Sequence, residues 1–354
     1  MAIFYTLFLP LIILLSWFYG LIIWIRNGLF DIGFLESVSF DVPIISVGNI
    51  TTGGTGKTPM VIYLAKLLEK NGCKPGIVSR GYGRNSRGPI IVHDGNCLLT
   101  NVDAAGDEPY LMGEKLNTIP IIVSENRIAG IHALLDNNLV DIVILDDAFQ
   151  HRKVRRNVDV IMISGHDTPS DYHLLPWGKL REPLRNLSRA QCIIYSKTKK
   201  FQYPLLHHLL KPYLKNSPTL SIMKPILMKI DDAGYHKALP TNTAVFLFCG
   251  IGNPEYFIQT VKKVGLNIIG KRIFKDHQRY NPKVLRDLVA QVQSSNCSAV
   301  VTTEKDMVKI PEIFINKFIF YIVKIDLIFE NSSVIIDLIK PIFPSSSKIY
   351  RSEH

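Results

Sequence analysis

The stretch VPIISVGNITTGGTGKT, residues 42–58, decides the fold class of this chain. Its apolar start predicts a buried strand at Val42–Val47, and the pattern after it predicts a helix at Pro59–Glu69. Between them lies a glycine-rich turn that ends in Lys-Thr. Glycines let successive backbone N–H groups turn towards an anion, and the start of the next helix adds partial positive charge. The stretch therefore predicts a nucleotide phosphate loop, defined here as residues 48–58.

The side chains of the phosphate loop indicate how a nucleotide would be held. Lys57 would reach the β- and γ-phosphates, and the Thr58 hydroxyl would bind Mg²⁺. The strict pattern has a glycine where this chain has Thr51, so the loop is a variant form. The residues expected to bind the nucleotide are Thr51, Thr52, Gly53, Gly54, Thr55, Gly56, Lys57 and Thr58.

A second predicted strand ends in two acidic residues. Residues 142–147 read IVILDD, so an apolar strand runs directly into Asp146 and Asp147, the aspartate pair. Carboxylates in this place hold Mg²⁺ in P-loop enzymes, directly or through water. The sequence does not decide which of the two faces the cleft. Two solvated acids at a strand end are the alternative, which the neighbouring phosphate loop makes the weaker one.

Short apolar strands and helical patterns alternate through the rest of the chain. Further strands are predicted at Gly76–Val78, Ile119–Val123, Asp141–Leu145, Val158–Ile163, Gln191–Tyr195, Val245–Cys249, Ala299–Thr303 and Phe318–Val323, and a helix at Asn126–Leu135. Such alternation indicates an α/β fold with a mostly parallel, doubly wound sheet. We predict a P-loop NTPase-like domain at residues 29–220 and a second, smaller α/β domain at residues 221–354 that closes over the cleft.

The N-terminal segment is apolar. Residues 2–25 carry no charged side chain, and Arg26 closes the run. As a helix it would be about 36 Å long, enough for a hydrocarbon core of about 30 Å. The run is too long for a signal peptide and has no basic residue before it. We predict a membrane anchor helix at residues 1–28, which could span the bilayer or lie in one leaflet, and Arg26 favours a cytoplasmic domain after it.

Charge and cysteine usage narrow the function classes. The 354 residues include 41 Lys and Arg against 30 Asp and Glu, a formal net charge of +11. This excess favours an anionic partner: nucleic acid, a phosphorylated substrate or an acidic membrane surface. The five cysteines are scattered without a C-x-x-C pair, which argues against a disulfide framework and a zinc ribbon. No helix-turn-helix, zinc-finger or aromatic RNA-binding signature is present, so nucleic acid is not an expected partner.

Three further motifs are ambiguous when taken alone. Arg80 and Tyr82 lie in SRGYGR, where a glycine-bent loop could bind a phosphate or simply be solvated. Asp107, in GDEP, has the spacing of a helix cap. Glu182, in LREPL, could form a weak surface ion pair with Arg181.

The motifs are ambiguous one by one, but their order along the chain is typical of one protein family. GNITTGGTGKTP, SRGYGR, GDEP, SENR, LDDAFQHR, LREPL, DHQ and TTEKD follow one another along the chain. Together with the N-terminal apolar helix they resemble the tetraacyldisaccharide 4′-kinase family, the lipid A 4′-kinases of Gram-negative bacteria. The resemblance covers residues 1 to about 310, with LDDAFQHR and the variant phosphate loop as its most specific parts. The tail from Ile319 to His354 adds nothing to it.

The resemblance implies a reaction and a location. Such enzymes use ATP and Mg²⁺ to phosphorylate the 4′-hydroxyl of an acylated glucosamine disaccharide 1-phosphate, at the cytoplasmic face of the inner membrane. Their P-loop domain is joined to a smaller α/β domain, with the active site in the cleft. The lipid A precursor and membrane phospholipid are then the expected partners, and no obligate protein partner is implied.

The resemblance also implies residue roles. Asp107 would be the catalytic base together with His277, beside Lys57. Mg²⁺ would be held by Thr58, Glu182 and the aspartate pair, Asp146 and Asp147. The residues expected to contact the lipid substrate are Arg80, Tyr82, Arg127, Gln150, His151 and Arg181.

A membrane-bound nucleotide switch of the deviant-Walker ATPase type is the alternative function. Those ATPases carry a signature lysine where this chain has Thr52, which counts against their dimer-activated mechanism. The two functions differ in how ATP is used. A kinase needs a glycolipid acceptor, whereas a switch hydrolyses ATP on dimerisation or on contact with a partner.

Overall fold

The computed structural model describes residues 2–137, 140–198, 204–231, 234–237, 242–297, 299–329 and 332–343. The helices are α1 (Ala2–Asp31), α2 (Lys57–Lys70), α3 (Val102–Ala105), α4 (Asp107–Lys115), α5 (Arg127–Asn137), α6 (Pro204–Leu210), α7 (Pro254–Lys263), α8 (Pro282–Ser294), α9 (Glu304–Met307), α10 (Glu312–Ile315) and α11 (Ser333–Ile339). The strands are β1 (Ile44–Gly48), β2 (Pro75–Ser79), β3 (Ile90–His93), β4 (Ile121–Val123), β5 (Ile142–Asp146), β6 (Val158–Ser164), β7 (Cys192–Ser196), β8 (Thr219–Asp231), β9 (Gly234–Lys237), β10 (Ala244–Cys249), β11 (Asn267–Ile273), β12 (Ala299–Thr303) and β13 (Ile319–Phe329).

The described strands form one continuous sheet. Their order is β11-β10-β12-β13-β8-β7-β6-β1-β5-β2-β4-β3, with β9 paired to β8. The pairs are parallel except β3 with β4 and β8 with β13 and β9. The predicted α/β class with a mostly parallel sheet is confirmed. Because β1, β5 and β2 are parallel neighbours, the phosphate loop, the aspartate pair and the SRGYGR loop follow the same edge of the sheet.

Every strand predicted from an apolar run is present, within two residues of its predicted bounds except for β13, which ends six residues later than predicted. Four strands were not predicted: β3, β8, β9 and β11. β8 contains Lys224, Pro225 and Lys229, and β11 is mostly exposed, so neither has the continuous apolar run of a buried parallel strand. The helix after the phosphate loop begins at Lys57 rather than at Pro59.

Both faces of the first half of the sheet are covered. Ile45 and Val47 of β1 pack into a core shared with α2, whereas Ile44 packs into a core shared with α5. This alternation follows from the two-residue period of a strand. It fixes β1 between two apolar layers, and so holds the start of the phosphate loop in place.

The sheet passes through the predicted domain boundary. β8 pairs with β7 at Thr219 and Leu220 and with β13 from Ser221 to Ile230, so the boundary at residue 220 falls inside a strand. Ile335 and Ile339 of α11 join the core formed around α2, because apolar residues four apart share one helix face. The division into 29–220 and 221–354 stays a prediction, and α11 packs with the first half of the chain.

The N-terminal helix is docked on the body of the protein along its second half. Residues Phe8–Asp31 are long and apolar enough to cross a membrane by length and composition. Ser16 Oγ donates to the Leu174 carbonyl at 2.9 Å, and Tyr19 OH donates to the Arg181 carbonyl at 2.7 Å. The outer face is apolar and exposed, and includes Trp17, Phe18, Leu21, Ile22, Trp24 and Ile25. α1 extends to Asp31, three residues beyond the predicted anchor of residues 1–28.

Candidate active site

The phosphate loop has the backbone of an anion-binding turn. Gly53 and Gly56 have φ values of +111° and +91°, which favour glycine. The N-cap residue of α2 is Gly56, which has no side chain. The first N–H groups of α2 are therefore not engaged by a capping side chain. A Cβ added at Gly53 or Gly54 would meet no atom within 4 Å, whereas one at Gly56 would collide with Met223. The loop is therefore open on one side and packed on the other.

Neighbouring segments hold the remaining loop residues. Thr51 forms an isolated bridge with Leu180, and the Thr52 N–H donates to the Lys179 carbonyl at 2.8 Å. Beyond them, Ser196 Oγ donates to the Thr55 carbonyl at 2.7 Å, and Lys197 Nζ donates to the Gly54 carbonyl at 2.6 Å. The loop is thus attached to the LREPL segment and to the end of β7.

The aspartate pair lies against the phosphate loop. Lys57 Nζ is 3.7 Å from Asp147 Oδ1, and Arg181 Nη1 is 3.0 and 3.2 Å from the two oxygens of Asp147. Asp146 accepts a hydrogen bond from Ser79 Oγ at 2.8 Å. Burial, and then the neighbouring Asp147, raise the pKa of Asp146 to about 6. Burial alone would raise the pKa of Asp147, but the charges of Lys57 and Arg181 lower it.

Glu182 lies in the interior and not at the surface, where the alternative to a metal-binding role had placed it. It is fully buried, and its Oε2 accepts from Asn27 at 3.1 Å, Asn186 at 2.6 Å and Arg189 at 2.8 Å. A surface pair with Arg181 was therefore the wrong alternative, because Arg181 pairs with Asp147 and Glu182 pairs with Arg189. Among the described residues, no three His, Cys, Asp or Glu side chains form a ready metal cluster. Asp147 lies beside Lys57, whereas Glu182 contacts α1 through its hydrogen bond with Asn27.

The residues predicted to contact the lipid are divided between exposed and supporting positions. Arg80 and the 65% exposed Tyr82 line a cavity of about 540 Å³ at the sheet edge that the phosphate loop also follows. Arg127 is buried, and donates to the carbonyls of Ser124 at 2.9 Å and Asp146 at 3.1 Å. Burial lowers the pKa of Arg127 to about 10. Its guanidinium therefore supports the strand end that carries the aspartate pair.

Gln150 and His151 also make supporting contacts. Gln150 Nε2 donates to the Asn49 carbonyl at 2.9 Å, and Arg26 of α1 donates to the Gln150 carbonyl. Burial, and then the charge of Arg127, hold the pKa of His151 at about 4, so this imidazole is neutral at pH 7. The LDDAFQHR segment thus connects the phosphate loop to α1.

Asp107 and His277, which we call the dyad, are brought together from opposite halves of the chain. His277 Nδ1 is 3.2 Å from Asp107 Oδ2. His277 has a φ of +58°, a strained backbone conformation of the kind that functional sites often contain. The N-cap residue of α4 is Gly106, and Asp107 is the first helical residue, so the alternative role of Asp107 as a helix cap is wrong.

The two members of the dyad change each other's pKa. The hydrogen bond with Asp107 raises the pKa of His277. Burial opposes ionisation of Asp107, but His277 and Lys309 lower its pKa.

The dyad adjoins the SRGYGR loop. The rings of Tyr82 and His277 are 5.0 Å apart between centroids. The SRGYGR loop follows the same edge of the sheet as the phosphate loop and the aspartate pair, so the dyad lies against a segment of that edge.

Comparison with known proteins identifies the family of this arrangement. The sequence profile described as LpxK, tetraacyldisaccharide-1-P 4′-kinase, matches residues 8–342. The chain belongs to this family. The match passes residue 310, so the part of the tail up to residue 342, which added nothing to the sequence analysis, is included in the tetraacyldisaccharide 4′-kinase profile.

Individual members of the tetraacyldisaccharide 4′-kinase family align over most of their length. A tetraacyldisaccharide 4′-kinase of Chlorobaculum parvum is 38% identical over 304 residues, 83% of this chain and 82% of the relative. One from Desulfotalea psychrophila is 35% identical over 302 residues, 84% of this chain and 86% of the relative. The solved "apo" form of LpxK from Aquifex aeolicus in complex with ATP is 30% identical, with a TM-score of 0.74, and the match covers 96% of this chain and 99% of that one.

Sequence reasoning missed three groups around the 4′-kinase site. Ser79 donates a hydrogen bond to Asp146, and Asn27 donates one to Glu182. Two lysines contact the dyad: Lys305 of TTEKD and Lys309, four residues later. Ser79 precedes the SRGYGR arginines at a strand end, which is a usable signal. Asn27 lies in the apolar helix as a polar residue that lipid would not favour, which is a second usable signal.

Proposed function

We propose that this protein transfers the γ-phosphoryl group of ATP to the 4′-hydroxyl of a tetraacylated glucosamine disaccharide 1-phosphate. The product is the bis-phosphorylated lipid A precursor. The family match over residues 8–342 is the observation that carries the proposal. The deviant-Walker switch is not favoured, because the similar curated proteins are named as kinases.

The chain fits ATP and Mg²⁺ as its cofactors. The open side of the phosphate loop at Gly53 and Gly54 leaves room for phosphates, and the similar Aquifex aeolicus structure is in complex with ATP. We propose that Thr58, Asp146, Asp147 and Glu182 would hold Mg²⁺, directly or through water. Mg²⁺ bound there would neutralise negative charge on the phosphates.

The side chains of this chain then have distinct tasks. Asp107 accepts the proton as the sugar O–H bond breaks. The 4′-oxygen forms a bond to the γ-phosphorus, and the bond from that phosphorus to the oxygen shared with the β-phosphate breaks, leaving ADP. Lys57 stabilises the charge on the phosphates, and His277 orients Asp107 by its hydrogen bond. Arg80 and Tyr82 line the open cavity beside this edge and are proposed to contact the lipid headgroup.

A direct assay tests the proposal. Purified protein is mixed with Mg-ATP and detergent-dispersed tetraacyl disaccharide 1-phosphate, and the lipid is examined by mass spectrometry. The expected product carries one additional phosphate. ATP hydrolysis that rises with protein dimerisation, without any phosphorylated lipid, would favour the switch instead.

The metal assignment gives a prediction that separates Asp147 from Glu182. Asp147→Asn is expected to raise the Mg²⁺ concentration for half-maximal rate by about tenfold or more. Glu182→Gln is expected to raise this Mg²⁺ concentration as well and, unlike Asp147→Asn, to lower the free energy of unfolding by about 3 kcal/mol, because it removes the buried charge partner of Arg189. Rates over a Mg²⁺ titration and thermal unfolding measure the two effects. If both variants kept the wild-type rate and Mg²⁺ dependence, the metal assignment would be wrong.

We further propose that the enzyme acts at the cytoplasmic face of the inner membrane of a Gram-negative cell, in contact with phospholipid. Contacts from Ser16 to Asp31 attach α1 to the body of the protein. The docked half, from Ser16 to Asp31, presents an apolar outer face. A helix that is held along the body of the protein and exposes an apolar outer face favours insertion into one leaflet over a full span.

The outer face of α1 should carry the membrane affinity. Replacing both Trp17 and Ile22 with glutamate is expected to weaken vesicle binding roughly 100-fold or more, because burying two such side chains is worth about 3 kcal/mol or more. Nucleotide affinity should not change. Ile313→Glu is the matched control, since Ile313 is 77% exposed and Trp17 is 75% exposed.

Vesicle co-sedimentation and nucleotide titration provide the measurements. Equal vesicle binding by the double variant and wild type would contradict membrane contact through this face. A cysteine placed at residue 2 that reacts with an impermeant maleimide from the periplasmic side would contradict the one-leaflet placement.

A further inference from the structure

A lysine directly after β7 contacts both the phosphate loop and a helix of the second half of the chain. Lys197 Nζ donates to the Gly54 carbonyl at 2.6 Å and lies 5.1 Å from the centroid of the Tyr256 ring. We propose that Lys197 is a positioning residue that holds the phosphate loop in its nucleotide-binding conformation and attaches it to α7 through the ring of Tyr256. This inference rests on the proposed use of ATP.

The phosphate loop needs such an attachment on its open side. A Cβ added at Gly53 or Gly54 would meet no atom within 4 Å, and glycine restricts the backbone very little. A peptide group is planar, so the bond from Lys197 to the Gly54 carbonyl fixes the plane that contains the Thr55 N–H. A carbonyl oxygen that faced the phosphates would repel them, and its attachment to an ammonium group prevents this.

The neighbouring residue of β7 holds the next carbonyl of the loop. Ser196 Oγ donates to the Thr55 carbonyl at 2.7 Å. Ser196 is the last residue of β7, and every residue of this strand is buried. Two successive residues, Ser196 and Lys197, therefore hold two successive carbonyls of the loop. The buried strand before them provides a rigid support for both contacts.

Tyr256 gives Lys197 a partner that is anchored in the second half of the chain. Tyr256 lies on α7, and its neighbours Phe257 and Val261 on that helix are buried in the core around β10 and β12. The ring of Tyr256 is also 5.5 Å from the ring of His166, between centroids. The face of an aromatic ring attracts a cation, so the ammonium of Lys197 connects the phosphate loop to α7.

The backbone of Lys197 indicates that its side chain is used. Lys197 has a φ of +66°, a left-handed conformation that is unfavourable for residues with a Cβ. Glycine adopts this conformation without strain, so a residue that only turned the chain after β7 would be better as glycine. Burial lowers the pKa of Lys197, and the charge of Asp167 opposes this effect.

Lys197→Gly separates the proposed role from a purely structural one. Removing the side chain should weaken binding of the non-hydrolysable β,γ-methylene analogue of ATP, with Mg²⁺, about tenfold or more, as expected for the loss of a hydrogen bond from a charged group. Because glycine relieves the strain at this φ, Lys197→Gly should unfold at no lower temperature than Lys197→Met. Lys197→Met should lose the same affinity, and Lys197→Arg should restore most of it.

The Tyr256 variants test the connection to α7. Tyr256→Leu removes the aromatic face and should weaken binding of the analogue about threefold, whereas Tyr256→Phe keeps the ring and should restore the affinity. Tyr256→Leu should add little to Lys197→Met in the double variant, because the ring acts through the ammonium. In the kinase assay, KM for ATP should rise in the Lys197 variants, and KM for the lipid should not change.

Calorimetric titration with the analogue, alongside thermal unfolding, provides the measurements. The titration contains no lipid, so it remains informative even if the wild-type protein does not phosphorylate the acceptor. Lys262→Met is the matched control, because it removes an exposed lysine from the same helix as Tyr256 and should keep the wild-type affinity. Folded Lys197→Gly and Lys197→Met with wild-type affinity would overturn the positioning role. Equal affinities of Tyr256→Leu and Tyr256→Phe would overturn the connection to α7.

Discussion

Lys57→Ala is expected to lower kcat by about 10²–10³-fold while the protein remains folded. Lys57 belongs to the phosphate loop and is the first residue of α2, and its ammonium is 3.7 Å from Asp147 Oδ1. In the proposed reaction this fixed charge stabilises the negative charge that develops on the phosphates in the transition state. Its loss removes stabilisation that solvent does not replace.

The control for Lys57 lies on the same helix. Lys66 is exposed on α2, so Lys66→Ala removes an equal charge without touching the phosphate loop. We expect Lys66→Ala to keep the wild-type rate. Steady-state kinetics with the lipid acceptor, together with circular dichroism to check the fold, provide the comparison. Near-normal turnover in Lys57→Ala would exclude the assignment of residues 48–58 as the catalytic phosphate loop.

The phosphate loop was predictable because its signals are local. Gly53, Gly56 and Lys57 are close in sequence, and the loop conformation depends on φ values that glycine adopts without strain. The aspartate pair was predictable for a similar reason, since an apolar strand ends at that point. In both cases a short segment determines its own conformation, and the parallel sheet brings the ends together.

Glu182 and Arg127 show where sequence reasoning stops. The environment of Glu182 depends on Asn27, 155 residues away, and on Arg189, so neighbouring residues gave the wrong partner. Arg127 is charged and close in sequence to other predicted site residues. Its guanidinium, however, donates to the backbone carbonyls of Ser124 and Asp146. A residue type predicts a chemical capability, while the tertiary packing decides whether that capability faces the substrate.

Asp107 was ambiguous in sequence, because a helix-initial aspartate has both a structural and a catalytic use. The contact with His277, 170 residues away, distinguishes them. Spacing alone favours a cap, and only the family resemblance pointed to a base. The geometry places the carboxylate against a histidine and a lysine, so the structural role as a cap no longer accounts for it.

Asp107→Asn and His277→Ala are each expected to lower kcat by roughly 10²–10⁴-fold, with ATP affinity retained. Asparagine keeps the shape of the side chain but cannot accept the sugar proton as a base. Alanine at position 277 removes the donor that orients the carboxylate. Because the dyad lies on α4 and on a loop of the second half, its loss should leave the phosphate loop intact.

The pH dependence supplies an independent check on Asp107. His277 and the nearby lysines lower the pKa of Asp107 despite its burial, so the base is ionised throughout the neutral range. Protonation of Asp107 itself should therefore lower wild-type kcat/KM only below the ordinary carboxyl range, about pH 4. Asp103→Asn is the control, since Asp103 is an exposed acid on the preceding helix α3. It should change neither rate nor pH profile.

The double variant Asp107→Asn with His277→Ala decides whether the two residues act together. If His277 works only by orienting Asp107, removing it after the base is gone should cost little more, because residues that act as one unit have non-additive effects. We therefore expect the double variant to be nearly as active as Asp107→Asn alone. Fully additive losses would show that His277 acts on the substrate by a separate route. A destabilised but fully active Asp107→Asn would show that the carboxylate serves the fold rather than the proton transfer.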